Sequence, residues 1–350
     1  MTSRAWSIAG LLLACGPERA AEVPAPAPAP PAGDAGGWLK GQLHAHTGNS
    51  GDSATAPAVA LRWYAAHGFD FVVITDHNFV TAVDFAGPML AIPGVELTQN
   101  LADCEPAPAP GMQCLLHVNA LFVAPGRAGR FVFPPTGERG RLALYGQALA
   151  ATRELGGIAQ LNHPNFHYAA DAATLAALAG EGLRLIEVAN EAIDSNNAGD
   201  AAHPSTEALW DAALEQGARV WAVATDDAHH YDDAAAVTAS GETAYVGDRG
   251  FVMVRAAREP AAIRAAIERG DFYASNGVIL ESLQARPGRL QLATATPHEF
   301  RFIGAGGRLL ARSVGTQASY LLAADAGPYV RAVILAPDGR RAWTQPTWRE

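Results

Sequence analysis

From Trp38 onward, apolar residues fall in short runs rich in β-branched and aromatic side chains, separated by stretches with the spacing of amphipathic helices. The runs predict strands at 39–44, 71–75, 94–97, 115–123, 157–161, 183–188, 220–224 and 250–254. Helices are predicted at 57–66, 145–155, 172–178, 206–215 and 260–268. Pro57 and Pro260 suit a first helical turn, where a missing N–H costs nothing. Ser205 reads as an N-cap, and Gly217 as the stop of the helix that follows it. Strands alternating with helices predict an α/β fold with a largely parallel sheet, open or closed into a barrel, over residues 38–285. From about residue 290 the helical spacing gives way to strands and turns, including 329–335 and Pro337-Asp338-Gly339. That change predicts a small antiparallel β domain at 286–350.

The N-terminus follows a different pattern. Residues 1–14 carry one cation, Arg4, and a short apolar run. The run is well below the roughly 18–20 residues needed to span a bilayer, so it reads as an export signal. The ending Leu12-Leu13-Ala14-Cys15-Gly16 resembles the lipobox of bacterial lipoproteins. The resemblance implies cleavage after residue 14, acylation of Cys15, and a membrane-anchored protein facing the periplasm or cell surface. An ordinary signal peptide containing a cysteine is the alternative. Residues 15–37, rich in proline and alanine, read as an extended tether between lipid and folded body.

Cys104 and Cys114 remain, bracketing a proline-rich loop. Outside the cytoplasm such a pair is expected to close a disulfide, worth about 3 kcal/mol on the chain-entropy account. Metal thiolates or two free thiols are the alternatives, although no CxxC spacing suggests a zinc knuckle. With 49% hydrophobic residues the chain can bury a large core. Its net charge is −10, from 25 basic and 35 acidic residues, and Lys40 is its single lysine. This balance argues against binding duplex nucleic acid, but leaves room for a small anionic substrate held by metal ions. Nothing in the pattern sets an oligomeric state.

The chemistry-bearing residues sit at strand ends. His44-Ala45-His46 closes the first strand, and period-two alternation places both imidazoles on one side, as two ligands of one ion require. Thr47 and Asp52 follow in a Gly/Ser-rich loop, and Thr75-Asp76-His77 closes the second strand. Glu96 and His117 lie inside apolar strands; Asn162-His163-Pro164 and Thr225-Asp226-Asp227-Ala228-His229 end later ones. Taken singly, these could be core histidines, ion-pair partners or turn residues. Polar, metal-capable groups on so many apolar strands would be costly without a shared ligand. Asp226, His230 and His167 are candidates for supporting groups or the leaving-group acid, and no arginine stands out as a phosphate clamp.

These motifs, from about residue 40 to 278, resemble the PHP (polymerase and histidinol phosphatase) superfamily, most closely its exported carbaryl-hydrolase-like branch. The resemblance implies a distorted (β/α)7 barrel, here followed by the small C-terminal antiparallel β domain. It also implies two or three divalent ions, with zinc, manganese and iron all suited to such ligands. Carried over by motif, the first ion takes His44, His46, Glu96 and Asp227; a second takes Glu96, His117 and His163; a third takes Asp52, His77 and His229. The implied activity is hydrolysis by a metal-bridged hydroxide, foremost of phosphate esters, with Asp227, His229 and Asp76 in catalytic positions. The same centre would serve a carboxylic ester, amide or carbamate hydrolase. A non-catalytic metal- or ligand-binding surface lipoprotein is the reading of a different class.

Overall fold

The computed structural model describes residues 37–82 and 84–349; the expected signal peptide, Cys15 and the tether up to residue 36 lie outside them. The predicted helices form as Pro57–Ala66, Arg141–Glu154, Ala172–Glu181, Thr206–Glu215 and Pro260–Arg269. Local capping explains several of their ends. Asp171 accepts from the Thr174 N–H and Ser205 from the Ala208 N–H, each satisfying a donor the helix cannot. A further short helix, Ala234–Ala239, escapes the periodicity because its small, alanine-rich residues draw no apolar stripe.

The strands do not build the expected (β/α)7 barrel. They form two mixed sheets of eleven and five strands and a two-stranded antiparallel pair, Phe79–Val80 with Gly129–Arg130. In the larger sheet, Trp38–Gln42 runs parallel to Phe71–Ile74, which runs parallel to Leu90–Pro93. On its other side Trp38–Gln42 pairs antiparallel with Phe251–Arg255, and that strand pairs antiparallel with Phe272–Ser275. In the smaller sheet Val95–Leu101, Cys114–Leu121 and Ile158–Leu161 are antiparallel neighbours, while Leu185–Asn190 runs parallel to Ile158–Leu161 and Trp221–Thr225. The physical reason lies in the connections. A parallel pair needs a crossover, normally a helix, and no helix separates Leu90–Pro93, Val95–Leu101 and Cys114–Leu121. The last link is instead a loop closed by the Cys104–Cys114 disulfide, the pairing expected of those two residues.

The strands after residue 286 extend the larger sheet. Arg341–Thr344 pairs with Phe272–Ser275, and Tyr329–Leu335 lies beyond it. One buried cation ties these strands to the helices. The Arg331 side chain, 1% exposed, donates through Nε and Nη2 to Asp211 at 2.7 and 2.6 Å and through Nη2 to Glu207 at 2.8 Å. Both carboxylates stand on Thr206–Glu215, the helix that packs on Leu185–Asn190. Trp210 and Trp343 are buried in the core.

The two sheets are tied at the strand ends that carry the histidine motifs. Ala45 forms a parallel bridge with Ala228, and His77 one with Glu96. Two glycines permit this approach. A Cβ at Gly94 would lie 2.6 Å from Val73 of one sheet and 3.1 Å from the Ala120 carbonyl oxygen of the other. A Cβ at Gly250 would lie 2.4 Å from the Thr225 carbonyl oxygen. Gly250→Ala is therefore expected to destabilise the fold by about 1–3 kcal/mol, the cost of forced overpacking, read as a lower denaturation midpoint at unchanged m-value. An unchanged midpoint would mean that the Thr225 backbone yields freely.

Candidate metal centre

His44-Ala45-His46 lies just past the end of Trp38–Gln42, with the Ala45 methyl buried on the opposite side. The two imidazoles face the same region, with ring centroids 5.1 Å apart. Glu96, on the antiparallel strand Val95–Leu101, is the hub. Its carboxylate is approached by His44 and His46 Nε2 at 3.4 and 3.5 Å, His77 and His117 Nδ1 at 2.6 and 3.1 Å, and His163 Nε2 at 3.4 Å. Asp227 Oδ1 lies 3.2 Å from His44 Nε2 and 3.0 Å from His46 Nε2. Asp52 reaches in from its loop, its Oδ2 being 3.0 Å from His77 Nε2 and 3.3 Å from His229 Nε2.

All nine predicted ligand residues therefore converge, in four overlapping groups whose donor atoms lie within 4.8 Å of one another. The groups are His44/His46/Glu96, His44/His163/Asp227, Glu96/His117/His163 and His46/Asp52/His77/His229. The last differs from the motif-based assignment in that His46 joins the Asp52 set. Among the described residues, His44 Nε2, His46 Nε2 and Glu96 Oε2 are buried without a well-aligned hydrogen bond, although His46 Nε2 lies 3.0 Å from Asp227 Oδ1 and Glu96 Oε2 lies 2.6 Å from His77 Nδ1. Buried polar atoms are almost always satisfied, so these three facing atoms fit a cation that would accept all of them.

Charge supports the same fit. Burial alone would raise the Glu96 carboxyl, but His77, His117 and His44 outweigh it and hold it well below the usual range. Asp227 is likewise held well below its ordinary value against burial, by His44 and His46. Burial would lower His44, yet Asp227, Glu187 and Glu96 raise it; His77 is raised to about 10 against burial by Glu96 and Asp52. His46 goes the other way, to about 3, under burial and the neighbouring His229. Ionised carboxylates ringed by imidazoles are compatible with cations taking the place of the imidazole protons.

The backbone is strained here. His163 and Asp227 adopt φ values of 23° and 52°, left-handed conformations that persist in non-glycine residues only when surroundings impose them. Glu187 Oε2 holds the His163 N–H at 2.6 Å, and the His44 carbonyl holds the Asp227 N–H at 3.1 Å.

Asp76 stands apart from the cluster. Its carboxylate accepts from the Thr47 N–H and hydroxyl at 2.5 and 2.7 Å, and from the Thr81 hydroxyl. It fixes the loop that follows His46 and does not line the cavity. Asp226 is turned away too, accepting from Gln42, Tyr64 and the N–H groups of Asp248, Arg249 and Gly250. His167 accepts from the Gln113 N–H and lies outside the cavity lining.

Several contributors were not legible as such. Glu187 lies buried in Leu185–Asn190 and accepts from His44 Nδ1 at 2.7 Å. Asn162 donates to Glu96 at 2.8 Å and Asn190 to Asp227 at 3.1 Å. Asn100 accepts from His117 Nε2 at 2.7 Å, and Ser50 sits 2.8 Å from His46 Nδ1. Such partners fix ring orientation and tautomer at metal sites. One signal was available for Glu187, a lone acid in an apolar run, the same signal that marks Glu96.

A cavity of about 630 Å³ opens onto the cluster. Phe166, Leu115 and Val237 contribute apolar lining, Asp194 and Glu242 acidic lining, and no lysine or arginine lines it among the described residues.

No protein-family model matches this chain, and no curated protein matches it. Among solved structures, one resemblance is to an endonuclease/exonuclease/phosphatase from Beutenbergia cavernae DSM 12333. The two share 12% identity at a TM-score of 0.21, over 88% of this chain and 100% of the other. A likeness that slight bears on neither fold nor activity.

Proposed function

We infer that the chain is a metal-dependent hydrolase, related to the PHP superfamily through its site motifs, and that phosphate esters are its leading substrate class. The observation that carries this reading is the convergence of nine histidine and carboxylate side chains in four groups whose donor atoms lie within 4.8 Å of one another, with Asp52, His77, Glu96, His117, His163, Asp227 and His229 lining a substrate-sized cavity. Two or three divalent ions (zinc, manganese or iron) would be held by His44, His46, Asp52, His77, Glu96, His117, His163, Asp227 and His229. Such ions supply Lewis acidity and make water nucleophilic near neutral pH.

The chain's own residues do the rest. Glu96 and Asp227 keep their charge where they line the cavity, and Phe166 and Leu115 contribute apolar lining. We assign to His230 the role of giving the leaving group its proton. It lines the cavity, and its Nδ1 accepts from the Tyr245 N–H at 3.1 Å, so in the neutral ring the proton sits on Nε2. His230→Gln is expected to lower kcat about 10²-fold for esters with poor leaving groups and far less for activated aryl esters. Equal losses for both would remove His230 from that role.

The absence of lysine and arginine from the lining favours a second reading, hydrolysis of uncharged carboxylic esters, amides or carbamates by the same centre. Metal analysis of the purified protein, followed by turnover of phosphomonoesters, phosphodiesters and aryl esters, tests both. Failure to bind any divalent ion under all loading conditions overturns them together. Binding with no turnover of any ester would instead point to a metal-binding surface lipoprotein. The Cys104–Cys114 disulfide suits the exported location proposed with a lipid anchor at Cys15.

A further inference from the structure

We propose that Glu187 is the positioning residue of one metal position, the one formed by His44, His163 and Asp227, and that it is not itself a ligand. The inference rests on the metal-centre reading above. Glu187 is fully buried, and both its oxygens are occupied by protein donors. Oε1 accepts from His44 Nδ1 at 2.7 Å, the Thr225 hydroxyl at 2.7 Å and Gln160 Nε2 at 3.1 Å. Oε2 accepts from the His163 N–H at 2.6 Å and Asn190 Nδ2 at 2.9 Å. A carboxylate has about four lone-pair sites, so five donors leave none for an ion.

Those donors lead to every member of one group. His44 is held directly. His163 is held by its backbone N–H at a strained φ of 23°. Asp227 is held through Asn190, whose Nδ2 donates to Glu187 and also lies 3.1 Å from Asp227 Oδ2. The His46/Asp52/His77/His229 group makes no hydrogen bond to Glu187 among the described residues. Accepting from His44 Nδ1 also fixes a tautomer. The proton stays on Nδ1, and the Nε2 lone pair faces Asp227 Oδ1 and Glu96.

Glu187→Gln is nearly isosteric but replaces one acceptor with a donor. The His163 N–H cannot turn away, so the new amide nitrogen must face His44 Nδ1. His44 would then carry its proton on Nε2, the atom a cation needs. The expected result is a 10–100-fold loss of affinity where His44 and His163 serve as ligands, with the ion of the His46/Asp52/His77/His229 group held as in the wild type. In the zinc-loaded wild type, ¹⁵N NMR should place the His44 proton on Nδ1. Glu187→Asp, which keeps the carboxylate, should recover part of the lost affinity. Two results overturn the proposal: an unchanged metal complement in Glu187→Gln, or an equal loss of every ion together with a lower melting temperature of the metal-free protein. A wild type that binds no metal overturns the metal-centre reading itself, whereas a wild type that binds alongside an unaffected Glu187→Gln overturns only the role of Glu187.

Discussion

Glu96→Gln should lose at least one divalent ion per chain and lower kcat/KM by about 10³-fold, because removing a hub carboxylate forfeits several kcal/mol of charge stabilisation, about 1.4 kcal/mol per tenfold in rate. Among the described residues, no other carboxylate is approached by five imidazoles, here from His44, His46, His77, His117 and His163. Glutamine matches its shape, so the fold should survive, with an unchanged far-UV spectrum. The amide cannot serve both Oε1 and Oε2 roles, since one position becomes a donor facing imidazole nitrogens. Metal content by mass spectrometry and turnover of the best ester substrate check this together. Full stoichiometry with wild-type turnover would place the ions elsewhere.

The second large effect is on stability. Arg331→Ala should cost about 3–5 kcal/mol, the usual penalty for stranding buried charges by removing one partner. Asp211 and Glu207 would remain on their helix, and from the C-terminal strands Glu207 would keep Trp343 Nε1 at 3.2 Å and the Arg341 guanidinium at 3.6 Å. Arg331 also stacks on Trp210 at 4.8 Å, so packing is lost with charge. Denaturant titration measures the loss. A triple replacement, Arg331→Met with Glu207→Leu and Asp211→Leu, should recover most of it, since apolar groups of similar volume can replace a buried ion cluster at little net cost. If Arg331→Ala unfolds at the wild-type midpoint, the cluster does not dock the C-terminal strands. If the triple variant is no better than the single one, packing outweighs charge there.

Much of the site was readable along the chain because its signals are local. A strand's period of two puts His44 and His46 on one side whatever the strand pairs with. An acid inside an apolar run, as at Glu96, is anomalous before any neighbour is known. Helices were equally legible, since capping at Ser205 and first-turn prolines at 57 and 260 depend on adjacent residues alone.

Strand direction was not legible. A helix between two strands suggested parallel crossovers, yet Phe251–Arg255 and Phe272–Ser275 flank Pro260–Arg269 and pair antiparallel. Which neighbour a strand hydrogen-bonds is decided by contacts far along the chain, and so is sheet membership. The same holds for the division of labour among buried acids. Glu96 and Glu187 carry the same local signature, a single carboxylate in an apolar strand, and Asp76, Asp226 and Asp227 all follow a strand's end. Only the folded arrangement gives Glu96 and Asp227 imidazoles for neighbours, while giving Glu187, Asp76 and Asp226 hydrogen-bond donors enough to fill them. The residues able to meet a metal were thus determined by the sequence, and which carboxylates are left open to meet it by the tertiary structure. The reason is that an oxygen's free lone pairs depend on donors brought from distant strands.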